Sequence, residues 1–406
     1  MRRSILTISV IATLVAASAC SSAGGAGSGN PSGSTVTIGE STTLSGAIAE
    51  LGQSGLQGVQ LAAADLNAKG GVLGKKIKVV SADDGAKPPT GTANVRNMIL
   101  KDKAAALFGP VSSAVAAAAE PVANQYKVPL FFHTSNDAGL MTKTFSKYAF
   151  QVVPNTMMEP RAVADYLAKK AAGKQITVAT FAPDYSFGHD SVAGFLAALG
   201  ALHVNYKLVN QQFPPLGESN IAPYLSKLVS ASPQYVYNAQ YGGDLVTFTK
   251  QAEGYGFFDK TTVIAMYDSP VLTALGSSVP AGAIGFDRAP FWAMGSGLDA
   301  FNKEFKAKYG QWPSEWALLA YTSVQSWAYA VTKAKSFDGD KVSAALSGAT
   351  APTIRGDLTF RSCDHQANVP EYVGTVSSKA DATYGIPLWD PNSVFAAPFD
   401  QISTSC

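Results

Sequence analysis

Short β-rich runs alternate with helix-like runs along this chain, and the alternation occurs twice over; no other feature restricts the fold as much. Val36-Thr37-Ile38-Gly39 reads as a strand, and Gln53 to Lys69 carries Leu56, Val59, Ala63 and Leu66 at helical spacing. Ile77–Val80, Ala104–Phe108 and Val128–Phe132 read as strands, separated by helices over Thr90–Lys101 and Ser112–Tyr126. The second series has strands at Ile176–Phe181, Val204–Val209, Tyr235–Asn238 and Thr262–Tyr267. Its helices fall at Ser191–Leu199, Ile221–Ser230 and Leu245–Gly254. Such an order predicts an α/β fold in which parallel sheets carry helices on both faces. Two similar units, parting near Val153-Pro154, imply two Rossmann-like lobes. Beyond Ile284-Gly285-Phe286 helices are predicted over Leu298–Tyr309 and Trp316–Lys333, then hairpin-like strands at Gly356–Phe360 and Tyr372–Val376.

The N-terminus marks the chain for export. Arg2 and Arg3 precede an apolar run from Ile5 to Ala17, then Ala17-Ser18-Ala19-Cys20, the layout of a signal peptide over 1–19. Its end resembles a bacterial lipobox, with Ala17 where Leu is commoner, and Cys20 would then carry the lipid. An ordinary A-x-A cut site is the other reading. Residues 20–34 form an anchor and a Gly/Ser-rich linker without charges, suited to hold a body off a membrane. No later apolar run is long enough to span a bilayer.

Charge narrows the partners. Removing Arg2 and Arg3 from the 31 basic residues matches them to the 29 acidic ones. A neutral body without a basic cluster argues against nucleic acid. Cys363 and Cys406 are left for an oxidising compartment and are predicted to pair, with two buried free thiols as the alternative.

Over nearly its whole mature length the sequence resembles the type I periplasmic binding proteins of branched-chain amino-acid importers, the leucine/isoleucine/valine-binding group. The resemblance rests on Ile38-Gly39, Leu44-Ser45-Gly46, Gly52 and Gly58, then Asp65-Leu66-Asn67-Ala68-Lys69-Gly70-Gly71 with Leu73-Gly74-Lys75-Lys76. It continues through Asp83-Asp84, Phe108-Gly109-Pro110-Val111-Ser112-Ser113, Asp184-Tyr185-Ser186-Phe187-Gly188, Ala320-Tyr321 with Val324-Gln325, and Asp364-His365-Gln366. It implies three hinge crossings, near Val153-Pro154, Phe286-Asp287 and Ile354-Arg355. Lobe 1 would comprise 35–153 plus 288–354, and lobe 2 would comprise 154–287 plus 355–406.

Ligands of open parallel sheets sit beyond the carboxyl ends of the strands. The loop Gly109–Ser113 leads into a helix start that offers free N–H groups to an anion, with the Ser113 hydroxyl as a further donor and Val111 beside it. A plain helix cap is the alternative role for Ser112 or Ser113. By its resemblance to the family, Thr134 would give a backbone carbonyl and Ser135 a hydroxyl. His133, where the family has a small residue or Pro, is more often structural. Phe187, in place of a family Tyr, and Tyr241 would close over the ligand. Asp268 aligns roughly with an acid that holds the ligand ammonium, or else caps a helix ahead of Pro270. Leu51 would touch the ligand side chain.

An exported hydrolase is the competing class. The sequence holds no G-x-S-x-G, G-x-G-x-x-G or G-x-x-x-x-G-K motif, and His133, His189, His203 and His365 have no metal-ligand spacing. A ligand-sensing receptor component is a third class. The reading is therefore a non-enzymatic, lipid-anchored, monomeric solute-binding subunit, outside the cytoplasm, that passes its ligand to an ABC permease. It needs no cofactor or metal. Its ligand would be a branched-chain or other apolar amino acid; the alternatives are an aromatic acid, an amide or a urea-type solute.

Overall fold

The computed structural model describes residues 33–404 and Cys406; the signal peptide 1–19, Cys20 and the linker up to residue 32 lie outside the described residues. The chain opens with β1 (Thr35–Thr42), α1 (Ala49–Ala68), β2 (Lys76–Asp83), α2 (Pro88–Leu100), β3 (Leu107–Phe108), α3 (Ser113–Gln125), β4 (Leu130–Phe132) and β5 (Ala149–Gln151). These five strands form a wholly parallel sheet in the order β2-β1-β3-β4-β5.

A second sheet follows. It is built from α4 (Met158–Ala171), β6 (Ile176–Phe181), α5 (Ser186–Ala201), β7 (Tyr206–Gln212), α6 (Ala222–Ala231), β8 (Tyr235–Asn238), α7 (Gly242–Glu253), β9 (Thr262–Ala265), α8 (Ser269–Leu275) and β10 (Ile284–Asp287). The chain then returns through α9 (Asp299–Tyr309), α10 (Glu315–Ala334) and α11 (Gly339–Leu346). It finishes with β11 (Thr350–Thr353), β12 (Gly356–Thr359), β13 (Glu371–Ala380), β14 (Pro387–Trp389), β15 (Phe395–Ala397) and α12 (Phe399–Ile402). β13 adds to β10 antiparallel, so the second sheet runs β14-β13-β10-β9-β8-β6-β7 with β15 on β13.

The buried parallel strands are short apolar runs, as burial on both faces demands. Helix α10 lies on α1, and fifteen of its residues are buried, with Trp316 and Trp327 among the largest fully buried side chains. The C-terminal helices thus complete the half built on the first sheet.

Two differences from the sequence reading have clear causes. Helix α4 has no counterpart among the elements predicted above; Pro160 falls in its first turn, where proline has no intrahelical bond to lose. The crossing expected at Ile354-Arg355 falls inside the β11–β12 hairpin. Residues 356–367 stay with the first sheet: Gln366 bridges to Gln151, and Phe360 and His365 pack their rings on Phe150. The chain enters the second sheet only at Glu371, and Gly356–Phe360 pairs with β11 rather than with β13.

Candidate functional site

The carboxyl ends of both sheets face one another across a narrow cavity of about 20 Å³. Its first wall comes from α1 and the loops after β3 and β4: Leu51, Val111, Ser113, Thr134 and Asn136. The opposite wall brings Tyr185, Phe187, Tyr241 and Met266, each in or just before the turn that follows a strand of the second sheet. Arg288 and Trp316 close the rim.

Gly109 makes the β3 loop possible. Its φ is +82°, and a Cβ there would lie 2.4 Å from the Ser41 carbonyl oxygen, so only glycine fits. The turn sets Ser113 at the first position of α3, where neither Ser112 nor Ser113 caps the helix through its side chain. Ser113 Oγ instead accepts from the amides of Asn136 and Asp137, each at 3.3 Å. With its lone pairs so engaged, the hydroxyl proton is what Ser113 has left to offer a ligand.

Thr134 Oγ1 meets His133 Nδ1 at 2.9 Å, and His133 Nε2 meets Glu40 Oε1 at 3.1 Å in a fully buried pair. His133 is thereby structural, behind the wall. The Thr134 carbonyl, expected to receive a ligand amino group, accepts from Arg288 Nη1. Ser135 does not line the cavity. Its carbonyl accepts from Gln151, its amide donates to the Pro110 carbonyl, and its hydroxyl is buried without a partner. The residue reaching the cavity is Asn136, one position on. Both protons of its amide are engaged, by Pro154 O and Glu159 Oε2, which leaves Oδ1 as an acceptor.

Asp268 is likewise outside the wall. It caps α8 by accepting from the Val271 amide at 2.9 Å and also accepts from Trp316 Nε1 at 2.9 Å. Burial pushes its carboxyl well above the ordinary range. The helix-capping alternative therefore describes this residue. Among the described residues, none lining the cavity is acidic.

The aromatic wall brings Phe187 and Tyr241 together with Tyr185. Phe187 stands edge-on to Tyr241 at 5.5 Å and tilted to Tyr185 at 5.8 Å, and the Tyr185 and Tyr241 hydroxyls are 2.8 Å apart. Burial raises both phenols, which stay protonated donors.

Arg288 is the cavity's cation, and the sequence reading missed it. Its Nε pairs with Glu159 Oε1, its Nη1 donates to Thr134, and its guanidinium lies 5.3 Å from the centre of the Trp316 ring. Two of five N–H groups are thus used, and three remain. Burial raises the Glu159 carboxyl and the Arg288 charge pulls it back down. The strand-end rule that singled out Ser113 applies equally to Arg288 after β10 and Met266 after β9. Trp316 opens a helix and carries no such signal. Cys363 and Cys406 lie away from the cavity, joined by a disulfide with Cα atoms 6.1 Å apart.

The halves touch on both sides of the cavity. The Gly243 amide donates to the Ala47 carbonyl at 3.1 Å, and Ser269 donates to Glu315 through its amide at 3.0 Å and its hydroxyl at 2.9 Å. The arrangement is closed: an aromatic box with donors at one end.

A family model described as periplasmic binding protein matches residues 35–381. The chain is 29% identical over 334 residues to the Leu/Ile/Val-binding protein homolog 7 of Brucella abortus (strain 2308), covering 78% of this chain and 82% of that one. A periplasmic binding protein from Burkholderia mallei superposes with a TM-score of 0.83 at 24% identity, covering 92% and 97% of the two chains. A solute binding protein of an ABC transporter from Rhodopseudomonas palustris BisB5, in complex with 3,4-dihydroxybenzoic acid, gives a TM-score of 0.78 at 23% identity, covering 90% and 98%. These likenesses show the type I periplasmic binding protein fold.

Proposed function

The chain belongs to the periplasmic binding protein family, and on that premise we propose that it is the lipid-anchored solute-binding subunit of an ABC importer, capturing a small carboxylate with an apolar, ring-sized body. One observation carries the ligand class: Arg288 and Ser113 present N–H and O–H donors inside a cavity otherwise walled by Leu51, Val111, Met266 and aromatic rings. A carboxylate meets charge-assisted donors there, and an aromatic ring meets faces and edges suited to stacking.

The choice between an acid and an amino acid turns on the ammonium. With Asp268 engaged by α8 and Trp316, the wall lacks a carboxylate to pair with one, which favours an aromatic acid. An apolar amino acid is the second reading. Asn136 Oδ1 would accept from its ammonium, and the Brucella relative is named for Leu, Ile and Val.

Capture would proceed by hinge closure. Ligand docks on the first-sheet half through Ser113 and the Thr134–Asn136 loop, and the second half folds its aromatic residues over it. Closure persists only where ligand contacts from both halves offset the difference between open and closed states. The closed monomer is what the permease reads. The chain performs no chemistry of its own, and the boundaries of its halves follow the crossings after Gln151, after Asp287 and before Glu371.

A melting-temperature screen with benzoate, hydroxybenzoates, leucine, isoleucine and short amides tests the ligand. A solute present at 100 times its Kd stabilises the fold by about 2.7 kcal/mol. A rise with benzoates and none with amino acids is expected; no shift with any acid or amino acid sinks the reading. The anchor is tested apart from it: Cys20→Ala should release the protein from the membrane into the soluble fraction.

A further inference from the structure

Consecutive residues at the start of α10 grip consecutive residues at the start of α8. Trp316 Nε1 donates to Asp268 Oδ2, and Ser269 donates twice to the Glu315 carboxyl. Helix α10 lies on α1 in the first half, whereas α8 follows β9 of the second, so these bonds join the two halves. Trp316 lines the ligand cavity. A separate hollow of about 340 Å³, lined by Glu50, Ser269 and Ser314 among others, adjoins the same contact.

We propose, building on the solute-binding reading, that this grip is a proton-linked latch: Asp268 and Glu315 position Trp316 against the ligand, and closing the halves draws protons onto the carboxyl groups that closure buries.

The charge inventory supports it. Asp268 faces the Val271 amide and the Trp316 indole as donors, with Asp287 and Glu50 as neighbouring acids. Glu315 faces the two Ser269 donors, Asp287 and Asp268. Asp287 Oδ1 accepts from the Ala289 amide, and the Glu315 carboxyl stands against the same group; around it also stand Arg288, Arg355, Glu371 and Tyr372. Arg288 is already paired with Glu159. Five carboxyl groups are buried here (Glu159, Asp268, Asp287, Glu315 and Glu371), and the guanidinium groups of Arg288 and Arg355 serve Glu159, Asp287 and Glu371, while Asp268 and Glu315 have acids for charged neighbours. Ionising all five would leave unpaired charge out of water, and a bound proton removes that penalty.

Burial raises Asp268 and Glu315 well above the ordinary range and Asp287 to about 7. When the halves part, water reaches Asp268 and Glu315, and they return toward the ordinary carboxylate range of about 4. The closed form thus holds more protons than the open form. Its advantage is complete below the ordinary carboxylate range and is lost as pH rises through the raised range of these buried carboxyl groups.

The test is calorimetric titration with benzoate or L-leucine, whichever raises the melting temperature, near pH 6.5 in two buffers of different ionisation enthalpy. Net proton uptake is expected, and Kd should rise with pH by up to about tenfold per unit for each proton linked. Glu315→Gln keeps an acceptor for Ser269 but cannot ionise, so uptake falls and the pH profile flattens. Trp316→Phe keeps a ring but loses the donor, so dissociation quickens. Tight binding without uptake and with a pH-flat Kd overturns the latch and leaves the solute-binding reading standing. If neither probe binds, that reading fails, and X-ray scattering of the ligand-free protein decides the latch. The wild type should become more compact as pH falls from the alkaline side toward the ordinary carboxylate range of about 4, and Glu315→Gln should not. A wild-type radius that does not change with pH overturns the proposal.

Discussion

At the scale of single residues, Arg288 decides what the cavity accepts. Arg288→Met should weaken binding of a carboxylate by roughly ten- to a hundredfold, the effect of losing a charge-assisted hydrogen bond of about 1.5–3 kcal/mol. Arg288→Lys should not restore it, because an ammonium can neither fork between Glu159 and Thr134 nor lie flat against Trp316. Equal affinity in wild type and Arg288→Met, measured by calorimetry, would contradict the assigned role. Ser113→Ala should cost a comparable amount, since it removes the ligand's donor and frees the Asn136 and Asp137 amides from their acceptor. The contrast between these two residues shows what a linear reading can reach. Ser113 sits in a loop whose Gly, Pro and Ser content announces a strand-to-helix turn. Arg288 has no such neighbours, and its meaning comes from Glu159 and Trp316, which are remote in sequence. Asp268 shows the converse. A carboxylate after a strand and before Pro270 fits a ligand contact and a helix cap equally, and only the bond from the Trp316 indole separates them.

At the scale of elements, α3 carries a titration of its own. Glu120 is buried in this helix with Oε2 accepting from Thr144 and Oε1 unpaired, and burial raises its carboxyl to about 7. The folded state therefore binds this proton more tightly than the unfolded chain does. Its contribution to stability is fully present below the ordinary carboxylate range and is lost as pH rises through about 7. Glu120→Gln should accordingly melt higher than wild type near pH 8, by a difference of about 1–3 kcal/mol that fades toward pH 5; a pH-independent difference would rule the assignment out. The disulfide belongs to this scale too, because it fastens the end of the tail to the turn after β12 across 43 residues. Cys363→Ser should lower stability by about 2–4 kcal/mol, and denatured wild-type protein should take up no thiol label at Cys363 or Cys406. Most strands and helices were legible because their apolar periods are long. The short or punctuated ones were not: α4 hides behind Pro160, and β5 and α8 are too brief for a period to show. The expected crossing at Ile354-Arg355 cuts the β11–β12 hairpin in two, because a strand's partner is chosen by tertiary packing, here against Phe150 and Gln151.

At the scale of the whole molecule, a parallel sheet and a second sheet with a parallel core of similar plan meet at their carboxyl ends, and this repeat is legible in the sequence. What stayed invisible was the contact between them, since Leu51, Tyr185, Arg288 and Trp316 become neighbours only when the halves face. Closure should therefore respond to substitutions on either side of the cavity. Tyr241→Ala should weaken ligand binding mainly through faster dissociation, because it opens the lid without altering the donors on the first wall; stopped-flow kinetics would show otherwise if only association slowed. The backbone bond from Gly243 to Ala47 offers a readout of a different kind. No side chain takes part in it, so no substitution is needed to watch it. The deuterium-exchange rate of that single amide should report the fraction of molecules standing open, and a saturating solute should slow it while leaving amides deep in β1 unaffected.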